Sequence, residues 1–167
     1  MRRLLLVLAL AGCRVSIDTP VSDAEVVGRG CSIGQSTSCV GSVGKQDFTW
    51  IWQNILSNNC LGSSCHQAGA TGKAKETPYD DKVKAYTSLV NLPSHVNPDP
   101  SVILVVPGQP AKSYLRVMLG DLKASEFSPP TTPPPSDVGL MPQAGSSLCC
   151  QKLDAIDAWI MAGAPND

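Results

Sequence analysis

The 167-residue sequence has few aromatic side chains, few charged ones and only two histidines. After the first three residues it has no run of Lys or Arg, so it lacks the basic surface that nucleic-acid binding requires. With only two histidines, the sequence offers few candidate residues for a Ser-His-Asp set or a zinc cluster. We therefore expect no nucleic-acid partner and no separate enzyme site.

Long hydrophobic runs are absent as well, and the apolar stretch Leu4 to Leu10 is too short to span a bilayer. Because it follows two arginines, it predicts a signal peptide over residues 1–12. The residues Leu10-Ala11-Gly12-Cys13 resemble a bacterial lipobox, which predicts a lipid anchor on Cys13. Arg14 follows this cysteine, where Asp would suggest inner-membrane retention, so we prefer the outer membrane or the periplasmic face. In the alternative interpretation, the signal is an ordinary secretory one and Cys13 is incidental.

Export places the cysteines in an oxidising compartment, where disulfide bonds form. With Cys13 assigned to lipid, six cysteines remain, an even number that fits full pairing or modification. Cys149 and Cys150 could each pair with Cys31 or Cys39, or Cys31 and Cys39 could close a local loop. The sequence leaves this connectivity open.

The chain divides into a tether and one domain. Residues 13–46 are rich in Ser, Gly, Val and Thr and show no helical period, which predicts a flexible tether. Residues 47–167 form the domain, in which apolar side chains at three-and-four spacing predict four helices. These cover Phe48 to about Asn58, Lys82 to Val90, Lys112 to Leu119, and the segment from Leu148 to the stop at Gly163. We expect an all-α fold with long loops, including five prolines between Ser128 and Ser136.

The stretch Cys60-Leu61-Gly62-Ser63-Ser64-Cys65-His66 directly follows the first predicted helix. Two thiols next to a histidine are typical of covalent haem attachment, whose usual spacing is C-x-x-C-H. Two extra residues separate the thiols here, and the small Gly62 and serines could bulge outwards. The motif therefore predicts haem c on Cys60 and Cys65. The alternative is a Cys60–Cys65 disulfide with His66 on the surface.

Met141 lies in a Gly/Pro loop before the last helix, where its thioether could ligate iron opposite His66. Such His/Met ligation leaves no open position for substrate and favours electron transfer. His95, in the loop from Pro93 to Pro98, is the rival distal ligand.

In the order of these parts the chain resembles the small c-type cytochrome domains of exported planctomycete and myxobacterial proteins, from about Phe48 to Pro165. The matching parts are the helix leading into Cys60–His66, Ala85-Tyr86, Val105 to Pro110 with Ser113-Tyr114-Leu115, Met141-Pro142, and Ile156 to Ala164. The resemblance implies a cytochrome c-like fold whose first and last helices cross. It also implies thioethers at Cys60 and Cys65 and iron ligation by His66 and Met141.

The sequence thus predicts an electron-transfer cytochrome with one covalent haem, redox partner proteins and a membrane anchor. It is not expected to be an enzyme, and a peroxidase-like haem enzyme ranks last. The alternative is a haem-free, disulfide-stapled lipoprotein domain for binding or interaction, with Cys60 and Cys65 joined and Met141 buried.

Overall fold

The computed structural model describes residues 30–61, 65–143 and 147–167, and this part of the chain is mostly helical without a β-strand. The expectation of a helical fold is confirmed at this level. Six α-helical segments are α1 Thr37–Val40, α2 Phe48–Ile51, α3 Ser57–Asn59, α4 Lys82–Leu89, α5 Tyr114–Met118 and α6 Cys150–Met161. A π-helical turn, Trp52–Leu56, joins α2 to α3, and 3-10 turns cover Gly72–Glu76 and Pro110–Lys112.

The first predicted helix runs from Phe48 to Asn59 through the π turn. Asp47 caps its start, because the carboxylate accepts a hydrogen bond from the backbone N–H of Trp50 at 2.7 Å. The π turn inserts one residue into the helical repeat, and both Ile55 and Leu56 are buried within it. Consecutive apolar side chains thereby face the interior just before the chain reaches Cys60.

The last helix, α6, packs its apolar face against the start of α2. The rings of Phe48 and Trp159 stack with centroids 5.0 Å apart, and both side chains are fully buried. Tyr86 of α4 meets Phe48 edge-on at 5.3 Å. These three aromatic side chains join three helices, each too short to be stable alone, so their packing is what makes the helices possible.

The C-terminal residues are fastened to the same corner. The indole N–H of Trp159 donates to the carbonyl of Pro165 at 2.9 Å, and the Tyr86 hydroxyl donates to the carbonyl of Ala164 at 2.9 Å. The backbone N–H of Phe48 donates to the Asp167 carboxylate at 2.7 Å. Two backbone carbonyls and one carboxylate at the end of the chain therefore satisfy donors of α2, α4 and α6.

Long connections fill the middle of the chain. Two isolated β-bridges, Val90–Val105 and Pro93–Ile103, are the only sheet-like pairings in the described ranges. The proline-rich loop lies against the body, where the Tyr114 hydroxyl donates to the carbonyl of Thr132 at 3.1 Å. This loop has no helical or sheet structure, as five prolines in nine residues predict.

The N-terminal segment differs from the expected tether over the residues that are described. Residues 30–46 pack on α6 through two disulfides, Cys31–Cys150 and Cys39–Cys149. The side chain of Gln151 also bonds both backbone groups of Gly34, at 3.1 and 2.8 Å. This half of the predicted tether is part of the folded unit, whereas residues 14–29 lie outside the described ranges.

The two disulfides run side by side, since their cysteines are eight residues apart at one end and adjacent at the other. Removing one bond leaves the long loop closed by its neighbour and frees only a short loop, which costs about 2–3 kcal/mol in chain entropy. Removing the second opens a loop of more than a hundred residues and costs about 5 kcal/mol more.

We therefore expect the double variant Cys39→Ser/Cys149→Ser to lose about 2–3 kcal/mol of unfolding free energy, and the fourfold variant lacking both bonds about 7 kcal/mol, by urea titration. Cys65→Ser, which removes an unpaired thiol, is the matched control. The second double variant is Cys31→Ser/Cys150→Ser. If the fourfold variant loses no more unfolding free energy than the two double variants lose together, the result would contradict parallel stapling.

Candidate functional site

An apolar cavity of about 60 Å³ lies between the π turn Trp52–Leu56, α5 and α6, next to Cys60. Its wall is formed by leucines, isoleucines and methionines together with the ring of Tyr79. Residues that line it include Ile55, Leu56, Leu104, Leu115, Met118, Leu119, Met141, Leu148 and Ile156. The lining residues come from the π turn, α5, α6 and the loops between them, so the cavity lies where these elements meet.

A larger and more polar cleft of about 800 Å³ adjoins it. Cys65, His66 and the 3-10 turn Gly72–Glu76 form one side, and Asp137, Val138 and Gln143 are among the residues on the other. Lys73, His95 and Met141 line both spaces, so these three side chains mark the boundary between them. The site is thus an open cleft with a small apolar inner end.

Cys60 and Cys65 are both free thiols, in contrast to the other four described cysteines. Cys60 is only 9% exposed. Burial, followed by the nearby Cys65 thiol, raises the pKa of Cys60 to about 12, while the ammonium of Lys152 acts in the opposite direction. Cys60 is therefore protonated at neutral pH and behaves as an apolar wall group rather than as a nucleophile.

His66 is held in place by its neighbours rather than lying free on the surface. Its Nδ1 lies 2.8 Å from the carbonyl oxygen of Thr77, and its ring stacks on Tyr79 with centroids 4.4 Å apart. A carbonyl can only accept, so Nδ1 carries the hydrogen and Nε2 is the acceptor of the neutral ring. Burial lowers the pKa of His66, which favours this neutral form.

The partner ring in this stack is itself fixed. Tyr79 is 5% exposed, and burial raises the pKa of its hydroxyl, so the ring remains neutral. The indole N–H of Trp52, within the π turn, donates to the Tyr79 carbonyl at 2.9 Å. The π turn thereby positions the wall of the site as well as the chain leading into Cys60.

The structure gathers the residues singled out from the sequence around these two spaces. Cys60 lines the inner cavity, Cys65 and His66 line the cleft, and Met141 and His95 line both. Met141 is half-buried and its backbone N–H donates to the carbonyl of Met118 at 2.8 Å. His95 is exposed, as its loop position suggests.

The prediction of a covalently bound haem is nevertheless wrong. Across residues 30–61, 65–143 and 147–167, no three His, Cys, Asp or Glu side chains form a group that could hold a metal ion. Four cysteines are joined to one another in the disulfides Cys31–Cys150 and Cys39–Cys149 rather than to a cofactor. The predicted thioethers at Cys60 and Cys65, the iron ligands His66 and Met141 (with His95 as the rival) and the electron-transfer function are withdrawn together.

The disulfide-stapled alternative also needs correction in two details. Its staples are Cys31–Cys150 and Cys39–Cys149, whereas Cys60 and Cys65 are not joined. Met141 is half-buried rather than buried.

The disulfides indicate that the chain matures in an oxidising, exported compartment. No helix among the described residues has the length and apolar character needed to cross a membrane. The predicted signal peptide and Cys13 lie outside the described ranges.

Comparison with known proteins gives no relative. No protein-family profile matches the chain. No characterised protein and no solved structure shows significant similarity to it. The function has to be argued from the site itself.

Several residues of the site carry no sequence signal that points to it. Thr77 and Tyr79 lie in a polar stretch broken by Pro78, yet they hold and cover His66. Lys73 follows the cysteine motif by seven residues and reaches both spaces because the 3-10 turn places it there. The one sequence signal for this part of the site is Tyr79, an isolated aromatic residue in a polar stretch.

The contrasting burial of the two thiols makes a direct prediction. In the native full-length protein at pH 8, iodoacetamide should alkylate half-buried Cys65 readily and Cys60 at least about tenfold more slowly, because Cys60 is buried and its pKa is about 12. Peptide mass mapping after timed quenching measures both rates. In urea without reductant both should react while the four stapled cysteines stay protected. Equal native rates at the two thiols would show that Cys60 is not held in the cavity wall.

Proposed function

We propose that this chain is an exported, haem-free, disulfide-stapled binding domain that takes a small amphipathic organic molecule in the cleft beside His66. The proposal rests on one observation: the polar cleft and the apolar cavity meet at a boundary formed by Lys73, His95 and Met141. The polar cleft, at about 800 Å³, lies within the roughly 300–1,000 Å³ typical of small-molecule pockets, and the apolar cavity extends it inwards.

The lining indicates what the ligand would look like. Leu115, Met118 and Ile156 in the inner cavity favour a hydrocarbon or aromatic group, since burying apolar surface stabilises by about 25 cal/mol per Å². At the mouth, Lys73 supplies positive charge, Lys75 is paired with Glu76 at 3.7 Å, and His66 and Asp137 supply further polar groups. A molecule with an apolar end and an anionic or hydrogen-bonding end fits this division.

We propose binding rather than catalysis for this site. Cys60 is protonated because burial raises its pKa to about 12, and the Nδ1–H group of His66 is occupied by Thr77. Among the described residues of the site, Cys60 and His66 are thus not arranged as a nucleophile and its base in the way that covalent catalysis uses.

The location and partners follow as further parts of the proposal. We propose that Cys13 carries lipid after removal of residues 1–12 and anchors the domain to the outer membrane or its periplasmic face. The disulfides support export. Redox partner proteins remain an untested prediction, and the haem from which that prediction was derived is no longer part of the account. The cytochrome c-like arrangement of helices also stays a prediction, supported by the packing of α2 on α6 through Phe48 and Trp159.

The fluorescent probe 1-anilinonaphthalene-8-sulfonate tests the cleft, because it combines an apolar ring system with an anionic group. We expect saturable one-to-one binding to the full-length protein. Met141→Trp, which fills the boundary between the two spaces, should weaken binding by about tenfold, equivalent to about 1.4 kcal/mol. Leu140→Trp is the matched control, since Leu140 is 56% exposed and lines neither space.

The near-UV circular dichroism spectrum of both variants must match that of the unmodified protein. This control excludes binding of the probe to partly unfolded protein. The proposal fails if the probe does not bind the folded protein or if the two tryptophan variants weaken binding equally.

A further inference from the structure

A second pocket, separate from the cleft, lies under the stapled N-terminal segment. It has a volume of about 330 Å³ and is bounded by α1, the end of α3 and the first turn of α6. The Cys39–Cys149 disulfide forms part of its wall. The pocket therefore exists only because the staple holds the N-terminal segment against α6.

Hydroxyl groups and a single cation line this pocket. Four serines contribute, together with Asn59 and Lys152; the serines are Ser32, Ser36, Ser38 and Ser147. Among the described residues that line it, there is no Asp or Glu. A surface rich in hydroxyls, with positive charge unopposed by acid, is complementary to a hydroxylated molecule that carries an anion.

Lys152 is the feature that needs a partner. It is only 6% exposed, although lysine is almost never fully buried unless its charge is paired. Among the described residues its ammonium donates to the amide oxygen of Asn59 at 2.9 Å, which is a neutral acceptor. An ammonium has three donors and keeps its full charge against such a partner, so a buried anion would be strongly favoured beside it.

The backbone adds to the same field. α6 has twelve residues and starts at this pocket, and Cys149, its N-cap, provides no side-chain hydrogen bond to the first turn. The first N–H of α6, on Cys150, donates to the carbonyl of Ser32 at 3.0 Å, so the helix start adds a positive dipole near the pocket rather than a free donor. Burial lowers the pKa of Lys152, and the neighbouring Cys60 thiol acts in the opposite direction.

We infer that this pocket binds a sugar acid, with its carboxylate on Lys152 and its hydroxyls on the serines. The volume lies at the lower end of the range for small-molecule pockets, which suits one sugar ring. The inference stands independently of the cleft, because no residue lines both the cleft and this pocket, and Leu148 alone is shared with the inner apolar cavity.

Calorimetric titration of the full-length protein with three probes tests it. Glucuronate should bind, whereas glucose, which lacks the charge, and acetate, which lacks the hydroxyls, should each bind at least about tenfold more weakly. Equal binding of glucose would overturn the role of the ammonium. Equal binding of acetate would reduce the site to a simple anion site and overturn the sugar-acid assignment, and no glucuronate binding would overturn the whole inference.

Two variants keep the test decisive. Lys152→Met should lower glucuronate affinity at least about tenfold, and Lys123→Met, on the surface beside Glu126, is the matched control with unchanged affinity. Asn59→Asp places a carboxylate against the ammonium and should abolish binding without loss of thermal stability, so it decides the matter if Lys152→Met does not fold. Full glucuronate affinity in Asn59→Asp would contradict the assignment.

Discussion

Two parallel disulfide bonds hold the segment around Cys31 and Cys39 against the first turn of α6, and the rest of the structure depends on that constraint. α1 has only four residues and α6 twelve, so neither would persist alone in water. Fixing the start of α6 also fixes the direction of its apolar face. Trp159 can then stack on Phe48, and the chain between the two helices is closed into one body.

The same constraint creates the spaces that we propose as binding sites. The disulfide side of α6 forms the serine-lined pocket with Lys152, and the apolar side closes the cavity beside Cys60. Cys60 and Lys152 approach each other closely enough that each influences the other's pKa. A change of geometry at the staple would therefore be felt at both sites.

The helices could be predicted from the sequence because their signals are local. Asp47 and Asp81 cap helices at the expected places, and Leu153, Ile156 and Trp159 follow the helical repeat. The pairing of Cys31 with Cys150 could not be predicted, since it depends on the path of 119 residues. The folded N-terminal segment was missed for the same reason, because its short apolar steps have no helical period and its partner is distant.

The haem prediction failed because the order of residues along the chain does not determine the geometry of the folded site. Cys60, Cys65, His66 and Met141 do come together around one site, as their order along the chain suggested. Sequence order, however, says nothing about cavity size or about the packing of His66 on Tyr79. Those features depend on the π turn at Trp52–Leu56 and on Thr77, whose contributions no motif records.

In the stapled domain, the thiols of Cys60 and Cys65 carry no covalently attached group. The most direct test of this claim is the mass of the peptide containing Cys60 and Cys65, with the visible absorption spectrum, for full-length protein purified from a bacterial host competent in covalent haem attachment. The account predicts an unmodified peptide, free at both thiols, and no visible absorption band. A haem-sized mass on that peptide, with the matching absorption, would contradict it.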